Sequence, residues 1–193
     1  FDTLPYVAGG VGVTAAASGE FDDFVIETAR STVCLYDGNG NAVQCGEEQF
    51  TYDPENRLAS FTNGSTVAVY AYDAMGRRIA KSASGSASER YYYEGDDAIR
   101  DLDQSGSTVA RYVNGLGIDE RLAMATSSPL LYYLIDALNS TREVVAADGV
   151  VLDRYDYEAF GLPLEQAESV ENRYQFTGRE WDPELRLYYY RAR

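Results

Sequence analysis

Apolar and polar residues alternate in short runs along most of this chain, and each run ends in a turn motif. In the run over residues 66–72, alternation places Val67 and Val69 on one face of a strand and Tyr70 on the other. Either both faces have partly apolar surroundings, or one face meets a wet cavity that tolerates tyrosine hydroxyls. The pattern predicts β-strands throughout, because no stretch sustains apolar residues at helical spacing.

A tyrosine followed by turn-forming residues recurs at nearly regular intervals. The steps between these tyrosines are 16, 20, 21, 19, 21 and 22 residues, for Tyr36, Tyr52, Tyr72, Tyr93, Tyr112, Tyr133 and Tyr155. About twenty residues accommodate two strands and two turns. Each unit is therefore expected to be one β-hairpin of a long antiparallel sheet.

The residues of these turns have a structural explanation that needs no ligand. An aspartate that begins a turn accepts backbone N–H groups, and the glycine that follows adopts positive φ. The arginines are expected to pair with carboxylates of neighbouring hairpins and to stack on tyrosine rings. The predicted repeat-turn residues are Tyr52, Asp53, Arg57, Tyr72, Asp73, Gly76, Arg77, Tyr155, Asp156, Gly161, Gly178 and Arg179.

The beginning of the chain differs from the rest. Residues 9–19 are rich in glycine and alanine and predict an irregular backbone, and residues 21–29 are a candidate edge strand. We therefore divide the chain into an irregular lead-in, residues 1–31, and a repeat sheet, residues 32–193. The small polar tract over residues 82–88 is expected to be a hairpin tip, because the repeat resumes just beyond it.

Composition removes several classes of function. The 31 acidic and 16 basic residues give a net charge of −15, which disfavours nucleic acid and anionic membrane surfaces as partners. Histidine is absent, which removes the usual general base and the commonest metal ligand. No apolar run is long enough to predict a membrane-spanning helix. The first residues predict no signal peptide, and we expect the chain to be a fragment of a longer protein. We predict no cofactor.

The two cysteines, Cys34 and Cys45, lie symmetrically about the Asn39-Gly40 centre of a predicted hairpin. Their side chains are expected to face each other across two strands, where a disulfide is geometrically reasonable. The alternative is a pair of reduced thiols in a cytosolic protein. A disulfide predicts a secreted or extracellular location.

One turn resembles a calcium loop. The first, third, fifth and twelfth positions of such a loop are matched by Asp37, Asn39, Asn41 and Glu48. Ala42, however, replaces the glycine needed at the sixth position, and flanking helices are missing. We interpret this stretch as a hairpin turn and predict no metal site.

Acidic clusters raise the question of glycoside hydrolysis, which uses two carboxylates. The clusters are Asp22-Asp23, Asp96-Asp97 and the group Asp153, Asp156 and Glu158. Accidental pairs are expected among 31 carboxylates, so we assign these residues to solvated strands and turns and predict no enzymatic activity. Tyrosines beside acids also resemble a sugar-stacking surface, although packing against an inner wall explains them more simply.

These motifs together resemble the rearrangement-hotspot (RHS), or YD-repeat, proteins. Residues 52–58 and 72–79 look like two of that family's repeats. Residues 155–164, 174–182 and 187–193 look like its core signature, which we place at about residues 130–193. The chain departs from the family at residues 136–142, where the usual histidine and glycine are missing.

The resemblance implies an all-β spiralling sheet that closes into a hollow shell around a C-terminal toxin or effector. The expected partners are the remainder of the shell and that cargo. The family's self-cleaving aspartates are expected beyond Arg193, so no catalytic residue is carried over. The alternative is a cell-surface adhesion or carbohydrate-binding module built on the same sheet, with carbohydrate or a cell-surface protein as partner.

Overall fold

The computed structural model describes residues 11–13, 26–28, 33–126, 130–167 and 169–191. These residues form eighteen strands and one three-residue 3₁₀ turn, Phe176–Gly178. The strands are β1 Val11–Val13, β2 Ile26–Thr28, β3 Cys34–Tyr36, β4 Ala42–Cys45, β5 Glu48–Tyr52, β6 Leu58–Asn63, β7 Thr66–Tyr72, β8 Arg78–Ala83, β9 Glu89–Glu94, β10 Asp97–Asp103, β11 Thr108–Asn114, β12 Arg121–Ala125, β13 Leu130–Ile135, β14 Thr141–Ala146, β15 Val151–Tyr157, β16 Pro163–Ala167, β17 Glu180–Asp182 and β18 Leu187–Tyr189.

The fourteen strands from β3 to β16 form one antiparallel sheet in which each strand pairs with the next along the chain. The prediction of an all-β array of hairpins is therefore confirmed. Within the described residues the sheet does not close on itself, and β3 and β16 are its edges. The polar tract over residues 82–88 starts within β8 and continues through the tip between β8 and β9, and Lys81 pairs with Glu89 across these two strands.

Two short strands are described in the lead-in. β2 lies inside the candidate edge strand, and β1 lies in the stretch predicted to be irregular. They pair with each other as an antiparallel ladder that brings Val11 opposite Thr28. The remaining residues of the lead-in lie outside the described part of the chain, so the division at residue 32 stays a prediction.

The two faces of the sheet differ in burial. In β7, Ala68 and Tyr70 are buried while Val67 and Val69 are exposed. The tyrosine face of β7 is therefore packed and the valine face is exposed, and we call the tyrosine face the inner face. Two clusters form its core: Phe61, Ala68, Tyr70, Ala83 and Leu185 in one, and Met124, Leu131, Tyr133, Val144 and Tyr155 in the other.

The inner face is covered by residues 172–191, which we call the C-terminal segment. It contains the 3₁₀ turn and the β17–β18 hairpin. Leu185 from this segment packs into the first core cluster, and the Thr141 hydroxyl donates to the Tyr174 carbonyl at 2.7 Å. Asn172 and Phe176 of the segment also contact Tyr155 and Tyr157, so the segment contacts the sheet from β6 through β15.

Candidate functional site

The aspartate that begins each repeat turn organises the backbone of that turn. The Asp73 carboxylate accepts the backbone N–H groups of Met75 and Arg77, both at 2.9 Å. Desolvation raises the pKa of Asp73, but the hydrogen bonds from Arg77 and Met75 outweigh it and hold the pKa below its usual value. The same pair of backbone bonds forms at Asp37, Asp53, Asp73, Asp103 and Asp136.

The arginine at the end of a turn connects that turn to the next hairpin. Arg57 pairs with Asp53 of its own turn at 2.6 Å, its guanidinium lies 4.9 Å from the Tyr72 ring centre, and it donates to the Asp73 carbonyl at 3.1 Å. Arg77 repeats this arrangement with Asp73 and Tyr93. The predicted stacking is present at both arginines. The predicted carboxylate partner on a neighbouring hairpin is wrong for Arg57 and Arg77, whose carboxylates lie in their own turns. It is right for Arg142 in β14, which pairs with Asp156 in β15.

The tyrosine before a turn reaches back to the previous hairpin. Its hydroxyl donates to the carbonyl of the first residue after the preceding turn on the same edge of the sheet. The Tyr72 hydroxyl reaches the Leu58 carbonyl at 2.9 Å, and the Tyr93 hydroxyl reaches that of Arg78 at 2.7 Å. Tyr52 and Tyr157 make the equivalent bonds to Ala42 and Thr141. Each of these hydrogen bonds joins a tyrosine side chain of one hairpin to the backbone of the hairpin before it.

The prediction that Tyr155 and Asp156 belong to a repeat turn is wrong. Tyr155 and Asp156 lie within β15, and the turn runs from Glu158 to Leu162, whose carbonyl accepts the Glu158 N–H. The pair Tyr157-Glu158 occupies the position that Tyr-Asp occupies elsewhere, two residues later in the strand. Gly161, at φ +88°, does lie in the turn, where a Cβ would approach the Phe176 ring to 2.4 Å.

Gly178 and Arg179 belong to the C-terminal segment and not to a sheet turn. Gly178 has φ +67°, and a Cβ there would lie 2.9 Å from the Asp119 carbonyl oxygen. Arg179 forms an ion pair with the Asp119 carboxylate at 2.8 Å. Both residues therefore hold the segment against the loop between β11 and β12.

Cys34 and Cys45 are direct partners across β3 and β4. Their Cα atoms are 4.2 Å apart and their sulfur atoms 2.09 Å apart. This is the facing arrangement on which the disulfide prediction depends.

The acidic clusters are used in the fold. The Asp37 carboxylate of the calcium-like loop is occupied by N–H groups of Asn39 and Asn41. The prediction that Asp153 is solvated is wrong, because its side chain is buried and accepts the backbone N–H groups of Ser169 and Val170. Among the described residues, no group of three or more cysteine and acidic side chains is arranged to hold a metal ion.

The other predicted acidic clusters are not brought together in one pocket: Asp96 lies in the wall of one cavity and Asp156 in that of another, each without its predicted partner. Asp156 forms an exposed ion pair with Arg142, and Asp96 and Asp97 lie at the turn between β9 and β10. Asp22 and Asp23 lie outside the described residues.

Arg78 is the centre of a group of charges buried between the sheet and the C-terminal segment. Its side chain is 2% exposed and donates to Asp182 at 2.5 Å and to Glu180 at 2.7 Å. The guanidinium lies 4.3 Å from the Tyr189 ring centre. Lys81 adds ion pairs to Asp182 at 3.3 Å and to Glu184 at 3.5 Å.

Arg173 extends the same group. It forms a two-pronged hydrogen bond with Asp101, at 2.8 and 2.9 Å, and an ion pair with Glu180. Asp101 also accepts the Tyr112 hydroxyl at 2.5 Å. We call the whole set the buried ion network: Arg78, Lys81, Asp101, Arg173, Glu180, Asp182 and Glu184.

The electrostatics of the network favour charge pairing over proton transfer. Desolvation raises the pKa of Glu180, but Arg173 and Arg78 outweigh it and lower the pKa to about 2. Burial raises the pKa of Tyr91 and Tyr112 well above its usual value. Glu180 is therefore charged and these tyrosines neutral across the physiological range, so the arrangement holds two parts of the chain together.

Beside the network lies a cleft of about 550 Å³ between the C-terminal segment and the inner face. Its wall includes Glu89, Ala110, Tyr112, Arg173 and Trp181. Sequence reasoning did not identify the network or this cleft. The one local signal is that Arg78 and Lys81 are charged residues in a strand that otherwise follows the pattern of its neighbours.

The fold defines a class: a segment of a β-shell made of consecutive tyrosine-containing hairpins. Residues 20–188 match the family model of the Teneurin YD-shell, and the chain belongs to this family. The resemblance to RHS and YD-repeat proteins is thus confirmed.

Two curated relatives are tRNA nucleases by name. The chain is 30% identical over 166 residues to the tRNA3(Ser)-specific nuclease WapA of Bacillus spizizenii and 30% identical over 169 residues to the tRNA nuclease WapA of Bacillus subtilis (strain 168). In both cases the match covers 82% of this chain and 7% of the relative, so the chain spans a small part of those proteins.

Solved structures share the fold at low identity. The Photorhabdus luminescens Tc holotoxin pore matches with a TM-score of 0.60 at 16% identity, over 82% of this chain and 9% of that one. The crystal structure of TcdB2-TccC3 matches with a TM-score of 0.62 at 16% identity, over the same shares. In the described part of this chain no helix has the length and apolar character to cross a bilayer.

Proposed function

We propose that this segment forms part of the wall of a secreted bacterial shell that encloses a C-terminal toxin or effector and helps to deliver it. The observation that carries the proposal is the tyrosine-lined inner face with the C-terminal segment fastened to it by the buried ion network. Membership of the YD-shell family supports a structural role. The name of the WapA relatives, tRNA nuclease, suggests a nuclease as the class of cargo.

The wall acts by containment, without chemistry of its own. Backbone pairing closes each hairpin onto the next, while the repeat tyrosines and arginines connect successive hairpins through side chains. Arg78 and Arg173 then hold the C-terminal segment on the inner side. A chain enclosed by this wall meets the C-terminal segment and the cleft beside the buried ion network, whose wall includes Tyr112 and Trp181.

Protease protection tests the containment. The cargo region is the part of the full-length parent protein that the shell is proposed to enclose. Within that protein, this C-terminal region is expected to resist digestion under conditions that digest the same region expressed alone. An Arg78→Met variant is expected to lose this protection, and an Arg100→Met variant, which alters a partly exposed arginine, is expected to keep it. Equal digestion of the C-terminal region inside and outside the intact protein would contradict the proposal.

The location has its own test. We propose that Cys34 and Cys45 form a disulfide in an extracellular protein, which non-reducing peptide mapping of secreted material detects as a linked pair of peptides. Free thiols in that material would contradict the proposed disulfide but not the proposed fold.

The adhesion alternative loses its main support in the structure. Tyr70, Tyr91, Tyr133, Tyr155 and Tyr174 are buried and unavailable to stack on a sugar. Tyr92 and Tyr132 remain exposed on the outer face. A glycan-array signal that disappears on replacing these two residues would revive the carbohydrate-binding reading.

A further inference from the structure

The repeat is interrupted at the hairpin formed by β11 and β12. Asn114 stands immediately before the turn, where Tyr52, Tyr72 and Tyr93 stand in the earlier hairpins. Its amide donates to the Ala98 carbonyl at 3.1 Å, which is the bond that a tyrosine hydroxyl makes in those hairpins. The Asn114 amide supplies a hydrogen bond to the Ala98 carbonyl, but it occupies less volume than the tyrosine ring of the earlier hairpins.

Arg121 fills part of the space. Its Nη1 donates to the Ala98 carbonyl at 2.9 Å and to the Asn114 side-chain oxygen at 2.5 Å. The guanidinium lies 3.6 Å from the Tyr174 ring centre and 5.0 Å from that of Tyr112. The residue is 4% exposed, so its positive charge is removed from water.

Arg121 differs from the other buried arginines in having no acid of its own. Arg78 and Arg173 each form ion pairs with two carboxylates, whereas the described residues place no carboxylate at ion-pair distance from Arg121. Glu180 lies nearby but is held by those two arginines. Arg121 Nε and the Tyr174 hydroxyl, both buried, have no hydrogen-bond partner in the described part of the chain. Burial of an unpaired guanidinium is costly, and a bound anion offsets that cost.

A cavity of about 140 Å³ adjoins both groups. Arg121 and Tyr174 lie in its wall, and Arg179 and Arg191 lie there too. The last two share one carboxylate, that of Asp119, at 2.8 and 2.6 Å. In all, the wall holds four guanidinium groups, from Arg77, Arg121, Arg179 and Arg191, and three carboxylates, from Asp96, Asp119 and Glu180. The surplus guanidinium group and the buried hydroxyl are the chemistry that recognises an oxyanion.

We propose that this cavity is an anion site that takes a carboxylate, with Arg121 as its main ligand and the Tyr174 hydroxyl as a second donor. The volume suits a single carboxylate group, from a small free acid or from an acidic side chain of a peptide. The site goes beyond the containment role and does not depend on it. Substitution of the repeat tyrosine by Asn114 is what makes room for it.

Ligand-observed ¹⁹F NMR with micromolar protein tests the site in the 193-residue chain. The trifluoroacetate line is expected to broaden saturably and to sharpen when acetate is added, while neutral trifluoroacetamide shows no broadening. Absence of saturable broadening would overturn the proposal and leave the two tyrosine rings and the hydrogen bonds to Ala98 and Asn114 as the compensation for Arg121.

Matched variants locate the binding. Arg121→Lys keeps a cation but loses the planar set of donors, so trifluoroacetate is expected to bind about tenfold or more weakly. Tyr174→Phe keeps the ring but removes the hydroxyl donor, and it is expected to weaken binding by a smaller factor. This second variant keeps the proposal testable if the arginine variant misfolds. Arg100→Met should bind as the unchanged chain does. Equal weakening by Arg100→Met would mean diffuse surface attraction and would overturn the proposal.

Competition distinguishes the two sources of carboxylate. The measurement compares how well N-acetyl-glutamate amide, its glutamine analogue and acetate displace trifluoroacetate. If N-acetyl-glutamate amide competes better than acetate and the glutamine analogue does not compete, the ligand is an acidic peptide side chain. Equal competition by acetate would identify a free acid. Both outcomes support the anion site, and competition by the glutamine analogue would contradict it.

Discussion

At the residue scale, the turn aspartate performs several tasks with one carboxylate. Asp73 accepts two backbone N–H groups and also pairs with the Arg77 guanidinium, which in turn packs over Tyr93. A local side-chain to backbone bond of this kind depends only on residues two and four positions away. For this reason the role of Asp53 and Asp73 could be predicted from the sequence.

Asp73→Ala is expected to lower the free energy of unfolding by about 1–3 kcal/mol, because two backbone donors and Arg77 lose their acceptor. Urea denaturation of the variant and the unchanged chain measures the difference. Asp96→Ala provides the control, since the described residues give that carboxylate no hydrogen bond, and its effect is expected to stay within about 0.5 kcal/mol. Equal effects of the two substitutions would contradict the role assigned to Asp73.

At the scale of the element, the C-terminal segment is fastened by charges that come from distant parts of the sequence. Arg77 and Arg78 are adjacent, yet the first serves its own turn and the second is buried against Glu180 and Asp182. The spacing of 102 residues between Arg78 and Glu180 leaves no local pattern to detect.

Local patterns determine the hairpins, whereas long-range packing determines the rest of the structure. The hairpins and the first turns follow from local alternation and turn chemistry. The later tyrosines are harder to assign, because Tyr155 and Tyr157 lie on the same face of β15 and either can be counted as the repeat residue. The inner face, the ion network and the cleft arise only when the C-terminal segment packs on the sheet, so their residues could not be paired beforehand.

Arg78→Met is expected to cost about 3–5 kcal/mol, since it leaves buried carboxylates without their partner. Removing the charges of Glu180 and Asp182 in the same chain, as Gln and Asn, is expected to restore part of the loss. Arg100→Met is the matched control and should cost less than about 1 kcal/mol. Denaturant unfolding measures all three, and a small effect of Arg78→Met would count against the network as the fastening.

The lowered pKa of Glu180 sets the acid response of the same element. The pKa falls from an unfolded value of about 4.5 to about 2, so the folded state gains stability from Glu180 above pH 4.5 and loses it as the pH falls towards 2. The free energy of unfolding is expected to decrease less steeply between these values in Glu180→Gln than in the unchanged chain. Identical slopes would show that Glu180 does not titrate as described.

At the scale of the whole molecule, the sheet presents β3 and β16 as edges within the described residues. Exposed strand edges offer unpaired backbone groups to other chains. We expect the 193-residue chain alone to self-associate as its concentration rises, measured by light scattering during size-exclusion chromatography. A lysine on each edge, Leu35→Lys with Leu164→Lys, should reduce association, and Val69→Lys on a central strand should not. A monodisperse monomer that melts cooperatively would contradict this expectation.

Containment assigns opposite environments to neighbouring residues of one strand. In β9, Glu89 lines the cleft on the inner side, whereas Arg90 is exposed and alternates to the outer face. A photo-crosslinking side chain at either position in the full-length protein reports directly on what each face touches. We expect the probe at Glu89 to crosslink to the C-terminal cargo region and the probe at Arg90 not to do so. Crosslinking to that region from Arg90 alone, or from neither position, would contradict the claim that this segment is the wall of a container.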